Sequence, residues 1–173
     1  MILFLDYDGV LHPEEIYLTK DQDGMELRCE GHKLFEHAQL LTDLLEPYPH
    51  IRIVLSTSWV LTFGFAKTRA PLPEKLQAKI KGSTWHSPME DQDRERWRFY
   101  NRYAQIDKYV KRHCLTDWIA IENDDYDWPD NKRDRLVLTS DWGGIGDTSA
   151  QNELIAKIQG KLRSDPITLA STQ

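Results

Sequence analysis

The chain has 173 residues, of which 40% are apolar, enough to fill one core and too few for a second large domain. With 28 acidic against 22 basic residues and a net charge of −6, it does not coat nucleic acid or an anionic membrane through its overall field, so a polyanionic ligand must be met locally. Cys29 and Cys114 are far apart and show no Cys-x-x-Cys spacing, which excludes a disulfide framework or zinc site and reads as reduced thiols in a cytoplasmic protein; no run is long and apolar enough to be a membrane span or a signal peptide.

The first element is a strand. Ile2 to Leu5 are uninterrupted apolar residues ending in Asp-x-Asp-Gly, the pattern of a strand buried on both faces that opens into a loop. Residues 12–31 read as irregular apart from two short alternating segments around Asp23-Gly24, a hairpin signal. Leu34, Ala38, Leu41 and Leu45 recur at spacings of four and three, predicting an amphipathic helix over 33–46 that Pro47 and Pro49 stop. "IRIVLSTSW" follows as a second buried strand. Residues 60–82 read as two helical pieces split by "APLP", with Pro73 in the first turn of the second, and "STWHSPMEDQD" as a loop with at most one short strand. Tyr103, Ile106, Tyr109 and Val110 predict a helix over 94–113 with a charged outer face. "WIAI" is the third strand, "RLVLT" the fourth, and residues 150–162 a last helix, with 163–173 a loose C-terminal tail.

Strands alternating with helices imply a parallel sheet covered on both sides, with its site at the carboxyl ends of the strands. Three of those ends carry polar clusters: "DYDG", "STS" and "ENDDYD". Turn chemistry would explain each alone, because Asp, Asn, Ser and Gly are common turn residues. Together, carboxylates at two ends and hydroxyls at a third are the parts of a phosphoryl-transfer site. One carboxylate can attack phosphorus, a second can move protons, hard oxygens suit Mg²⁺, and a hydroxyl can bind a phosphoryl oxygen.

"FLDYDGVL" resembles the first motif of the haloacid dehalogenase (HAD) superfamily, and "IVLSTSW", a basic helix and the acidic loop follow in that superfamily's order. More closely, "FLDYDGVLHP", "LLEPYPHIRIVLSTSW", "RYAQI", "WIAIEND", "DWP" and "LVLTSDWGGI" are similar to small capless HAD domains, some of them from predicted RNA-repair (Swiss Army Knife) proteins. The resemblance implies a three-layer Rossmann-like α/β fold with a central parallel sheet and no large cap, as a single domain over residues 1–162. It also implies Asp6 as the nucleophile of a phospho-aspartyl intermediate and Asp8 as the acid and base. Asp6 and the Asp8 carbonyl would hold Mg²⁺. The second motif falls on Thr57, with Ser56 and Ser58 as alternatives, and Gly9 beside the first motif joins the substrate contacts. His12 either touches substrate or shapes the turn before Pro13.

Two departures stand out. The third-motif cation, usually Lys, is best matched by Arg102, with Lys108 as the alternative. The fourth motif, usually two aspartates, is Glu122 and Asn123, followed by Asp124, so the metal set reads Asp6, Asp8, Glu122, Asn123 and Asp124, with Glu122 or Asp124 as the third ligand. Among the remaining segments, "RERWRFYNRY" mixes arginines with aromatics, as where nucleic acid is gripped, yet equally as a solvated helix face. "DDYDWPDNKRD" lacks the alternation of a calcium loop, and "GGIGD" lacks the ending of a nucleotide-binding loop and reads as a flexible turn. The expectation is a Mg²⁺-dependent phosphomonoesterase, open to solvent and suited to a phosphate on a bulky carrier such as a nucleic-acid end. Its rival is a catalytically inactive HAD domain that binds nucleic acid or a protein.

Overall fold

The computed structural model describes residues 1–85 and 96–164. Five of its strands form one all-parallel sheet: β1 (Ile2–Leu5), β4 (Arg52–Leu55), β5 (Ile80–Ser83), β6 (Trp118–Glu122) and β7 (Leu136–Leu138), in the order β5-β4-β1-β6-β7. The central strand, β1, pairs Leu3 with Ile53 on one side and with Ile119 on the other. β2 (Ile16–Leu18) and β3 (Met25–Leu27) form the separate antiparallel hairpin that Asp23-Gly24 predicts.

Side chains along a strand point alternately to its two faces, so the uninterrupted apolar run of β1 feeds two cores. Leu3 and Leu5 join Ile53, Leu55, Ile119 and Ile121 under α1 (Ala38–Leu45), α2 (Trp59–Phe63), α4 (Glu74–Lys79) and α6 (Thr148–Ser164). Phe4 points the other way, to Val54, Ala120 and Ile106 of α5 (Arg102–Arg112). Each fully buried aliphatic chain contributes about 1.5–3 kcal/mol by leaving water. The result is three layers, and between β1 and β4 the chain inserts only the hairpin and α1, so among the described residues no large cap covers the site.

Several boundaries differ from the expected ones. α1 begins at Ala38, not 33, because Phe35 sits at φ +60 and the preceding residues turn. The 60–82 region divides into three helices, α2, α3 (Phe65–Arg69) and α4, with Gly64 at φ +78 breaking the first two apart and Pro73 just before the third. Ile80–Gly82, expected to end a helix, instead begin the edge strand β5. The basic helix starts at Arg102 after a 3₁₀ turn at Trp97–Phe99, and residues 94–95 of that expectation lie outside the described residues, as does most of the "STWHSPMEDQD" loop. α6 runs on to Ser164, taking in the first two residues of the expected tail; the rest, 165–173, lie outside the described residues. "GGIGD" is more than a flexible turn: Ile145 is buried and its N–H donates to the Val10 carbonyl at 2.9 Å, while a side chain at Gly144 would stand 2.4 Å from that oxygen.

Candidate active site

The strand ends meet around one guanidinium. Asp6 follows β1 directly, is 3% exposed, and accepts the Tyr7 N–H on Oδ1 at 2.8 Å. Its Oδ2 accepts Arg102 Nη2 at 2.6 Å. Arg102 opens α5, whose start is fixed by Asn101 accepting the Ala104 N–H at 2.8 Å, a favoured capping residue in its usual role. Arg102 Nη1 donates to the Ser56 carbonyl and, at 3.1 Å, to Gln105 Oε1. Arg102 Nε lies 3.1 Å from Glu122 Oε2, an ion pair whose N–H is not aligned as a hydrogen bond. Ser56 Oγ closes the ring by donating to Glu122 Oε1 at 2.5 Å. One side chain thus ties together the ends of β1, β4 and β6.

Here one cation faces two buried carboxylates. Burial pushes the Glu122 carboxyl well above the ordinary carboxylate range, the Asp6 charge adds to this, and Arg102 and the Ser56 hydroxyl oppose it. Burial works against the Arg102 charge, but Asp6, Glu122 and Asp8 outweigh it and hold the guanidinium above its ordinary value. The Asp6 contact is the shorter and better aligned, so the guanidinium answers Asp6 first and only partly offsets the burial that raises Glu122.

Asp8 occupies a different setting. Its side chain is 25% exposed, the Trp59 indole N–H reaches Oδ1 at 2.9 Å and Oδ2 at 3.1 Å, and His12 Nε2 lies 3.3 Å from Oδ1. His12 is fully buried. It packs behind Asp8, away from the surface. Gly9, at φ +65, also stands below the surface: its carbonyl accepts Thr139 Oγ1 at 2.7 Å, and a Cβ there would meet the Asn123 side chain at 2.5 Å.

Thr57 is buried, and its Oγ1 accepts the Trp59 N–H at 3.3 Å at the entrance to α2, while Ser58 is exposed. Both line a cavity of about 230 Å³ shared with Trp85, Tyr100, Arg102 and Asp124. Lys108 is elsewhere, its ammonium 4.7 Å from the Tyr100 ring centre, so Arg102 is the cation that touches Asp6. The aromatics of "RERWRFYNRY" divide: Trp97 is buried, Tyr103 packs on Trp128, and Phe99 is 78% exposed. The acidic loop is closed by its own residues, with Trp128 buried and Asp125 paired to Arg133.

The fourth motif departs furthest from expectation. Glu122, expected as a metal ligand, is fully buried with both oxygens turned to Ser56 and Arg102, so its place is behind the cation. Asn123 donates Nδ2 to Asp141 Oδ1 at 3.0 Å, and Asp124 accepts the Tyr126 N–H at 2.8 Å while facing the cavity. Among the described residues, no three acidic, imidazole or thiol side chains converge as a cage for an ion. Mg²⁺ does not require one, since one or two carboxylates with water and substrate oxygens complete its octahedron. Asp6, Asp8 and Asp124 offer hard oxygens, and negative charge is in surplus: partial burial, with Asp141 and Asp8 nearby, also raises Glu14. These are oxygen donors of the kind a hard divalent cation takes.

Sequence reasoning missed Trp59 and Gln105. Gln105 lies one helical turn beyond Arg102, a spacing that places the two on one face and was readable. It accepts from Arg102 and donates to the Trp97 and Tyr100 carbonyls at 3.2 and 3.1 Å.

The family described as the HAD domain in Swiss Army Knife RNA repair proteins matches residues 2–150. No curated protein and no solved structure matches the chain. The family match takes in both carboxylates of the first motif, the β4 hydroxyls, Arg102 and the acidic loop, and the parallel order of the sheet agrees with it. The chain belongs to the HAD domain family of Swiss Army Knife RNA repair proteins.

Proposed function

We propose that this domain hydrolyses phosphate monoesters through a phospho-aspartyl intermediate. The observation that carries this reading is Asp6, held at the end of the central strand by the Tyr7 N–H and the Arg102 guanidinium, so that its carboxylate has a fixed direction. A fixed nucleophile spares the reaction the entropy of alignment. An Asp6 oxygen attacks phosphorus as the bond to the leaving oxygen breaks, and Asp8 passes its proton to that oxygen. Asp8, now ionised, takes a proton from water, whose oxygen attacks the phospho-aspartate and returns Asp6 with release of phosphate. The Thr57 hydroxyl and Arg102 bind phosphoryl oxygens from the cavity side. Mg²⁺ held by Asp6 and the Asp8 carbonyl, with Asp124 on the cavity side, would offset the repulsion between the Asp6 carboxylate and a phosphate dianion.

The lack of a large cap favours a phosphate on a bulky carrier, and the exposed Arg96, Arg98 and Phe99 beside the cavity suit a nucleic-acid end. The name of the family points the same way. A second reading, a binding domain without turnover, is favoured by Glu122 being committed to Arg102 and Ser56 and by the neutral Asn123. The test is hydrolysis of an aryl phosphate with and without Mg²⁺, with Asp6→Asn protein as control. Metal-dependent turnover lost in the control supports the phosphatase. No turnover with any divalent ion in wild-type protein, with turnover gained by the Glu122→Asp, Asn123→Asp double variant, supports the binding domain.

A further inference from the structure

Asp8 is held by more than its place in the chain. Both of its carboxylate oxygens lie within hydrogen-bond reach of one donor, the Trp59 indole N–H, at 2.9 and 3.1 Å. Trp59 is 5% exposed and follows the β4 hydroxyl cluster, so the strand that brings Thr57 to the site brings this donor too. His12 Nε2 stands 3.3 Å from Asp8 Oδ1, and its direction is set from behind: Nδ1 accepts the Phe35 N–H at 3.4 Å, which leaves the ring proton on Nε2, facing Asp8. The Nε2–H is angled off the ideal hydrogen-bond line, a looseness common in resting sites that tighten with substrate bound.

The support continues one layer deeper. Phe35 holds φ +60, a left-handed conformation that costs a non-glycine residue energy, and its ring packs edge-on against Tyr7, His12 and Trp59 at 5.3, 5.1 and 5.4 Å between centres. Such a conformation persists only where its surroundings over-determine it, and here it turns the Phe35 N–H to His12. Phe35, His12 and Trp59 are not among the residues that line the cavity with Thr57 and Arg102, so they stand behind Asp8 and not beside that cavity.

We infer that Trp59 and His12 are positioning residues for Asp8: they fix its carboxylate in the direction from which it delivers a proton to the leaving oxygen. This rests on the phosphatase reading above. If it holds, loss of the clamp matters most where the leaving oxygen is a strong base that needs its proton in the transition state, and least where the leaving group departs readily as an anion.

The experiment compares Trp59→Phe with wild type on an alkyl phosphate and on a nitrophenyl phosphate. With the alkyl ester, kcat should fall about 10- to 100-fold at unchanged KM, the usual cost of a misplaced catalytic group; with the nitrophenyl ester it should fall less than about threefold. An equal fall for both esters would overturn the inference and leave Trp59 a packing residue. At the second position, His12→Gln keeps a donor near Nε2 and should retain most alkyl phosphatase activity, whereas His12→Phe should lose it; equal losses in the two would also overturn the role given to His12.

A separate readout does not need turnover. The six tryptophans give six indole N–H signals by NMR, and that of Trp59 is the one lost in Trp59→Phe. In Asp8→Ala it should shift upfield and exchange faster with water. An unmoved signal would refute the clamp itself, whereas a moved signal in a protein that hydrolyses no phosphate ester would uphold the contact, refute the phosphatase reading and withdraw the catalytic role.

Discussion

The two carboxylates of one Asp-x-Asp motif, two residues apart, stand in opposite surroundings. Asp6 is nearly sealed from water and paired with a guanidinium that also faces a second buried acid, while Asp8 is a quarter exposed and held by an indole and an imidazole. A guanidinium faces Asp6; an indole and an imidazole face Asp8. Unlike environments are how two chemically identical groups can come to do different work, and on the phosphatase reading one is the nucleophile and the other the acid and base.

The sharpest break in this comparison is at the motif itself. On the phosphatase reading Asp6→Asn removes the attacking oxygen, and single-turnover assays should show a loss of about 10⁴-fold or more, with near-ultraviolet circular dichroism unchanged. Asp8→Asn should cost less, about 10² to 10⁴-fold, because attack remains possible while proton transfer does not. Wild-type rates in either pure protein would place the chemistry elsewhere.

Next in size is the cation. Arg102→Ala leaves Asp6 and Glu122 facing each other without compensation, and urea unfolding should show a loss of about 3–5 kcal/mol. The Asp8 side should be spared, its Trp59 indole signal unshifted. Glu122→Gln then tests the shared proton. The Glu122 carboxyl holds its proton more firmly folded than unfolded, so this favours the fold fully below the unfolded value near 4.5 and is lost as pH rises through the raised folded value. Stability of the wild type should therefore fall with rising pH over that window, and the Gln variant should show a flatter profile. A wild-type stability that rises there would assign the proton differently. Smallest of all is Lys108→Ala, which should change kcat/KM by about twofold at most, since Lys108 lies over Tyr100 and away from Asp6.

How much of this could be read beforehand followed the range of the forces involved. β1, β4, β6 and β7 were legible because parallel strands buried on both faces need long apolar runs, and the hairpin because Asp23-Gly24 suits its turn. Asp6, Thr57, Arg102 and Glu122 were placed together from motif order, and Arg102 was preferred to Lys108. β5 escaped because its residues, Ile-Lys-Gly-Ser, carry one apolar side chain and lie at the edge of the sheet. The start of α1 escaped because a regular Leu34-Ala38-Leu41 spacing does not announce that Phe35 turns left-handed to meet His12. Glu122 was read as a ligand from the resemblance of its loop to the fourth motif, but which way a buried carboxylate turns depends on Ser56 and Arg102, and no local pattern joins residues so distant in sequence.

The placement of β1 also has a consequence for how the chain comes to be built. The central strand bonds residues 2–5 to 52–55 on one edge and to 118–121 on the other, so β1 is synthesised well before its second partner and its pairing waits for β6. A ribosome adding about 5–20 residues per second leaves the central strand half-paired for several seconds. During that interval the edge that will receive β6 is open, Asp6 has no Glu122 beside it, and one row of unsatisfied backbone groups runs along the most apolar segment of the chain. Contacts so distant in sequence make for slow folding, and the nascent domain is most exposed to aggregation just before Trp118–Glu122 arrives.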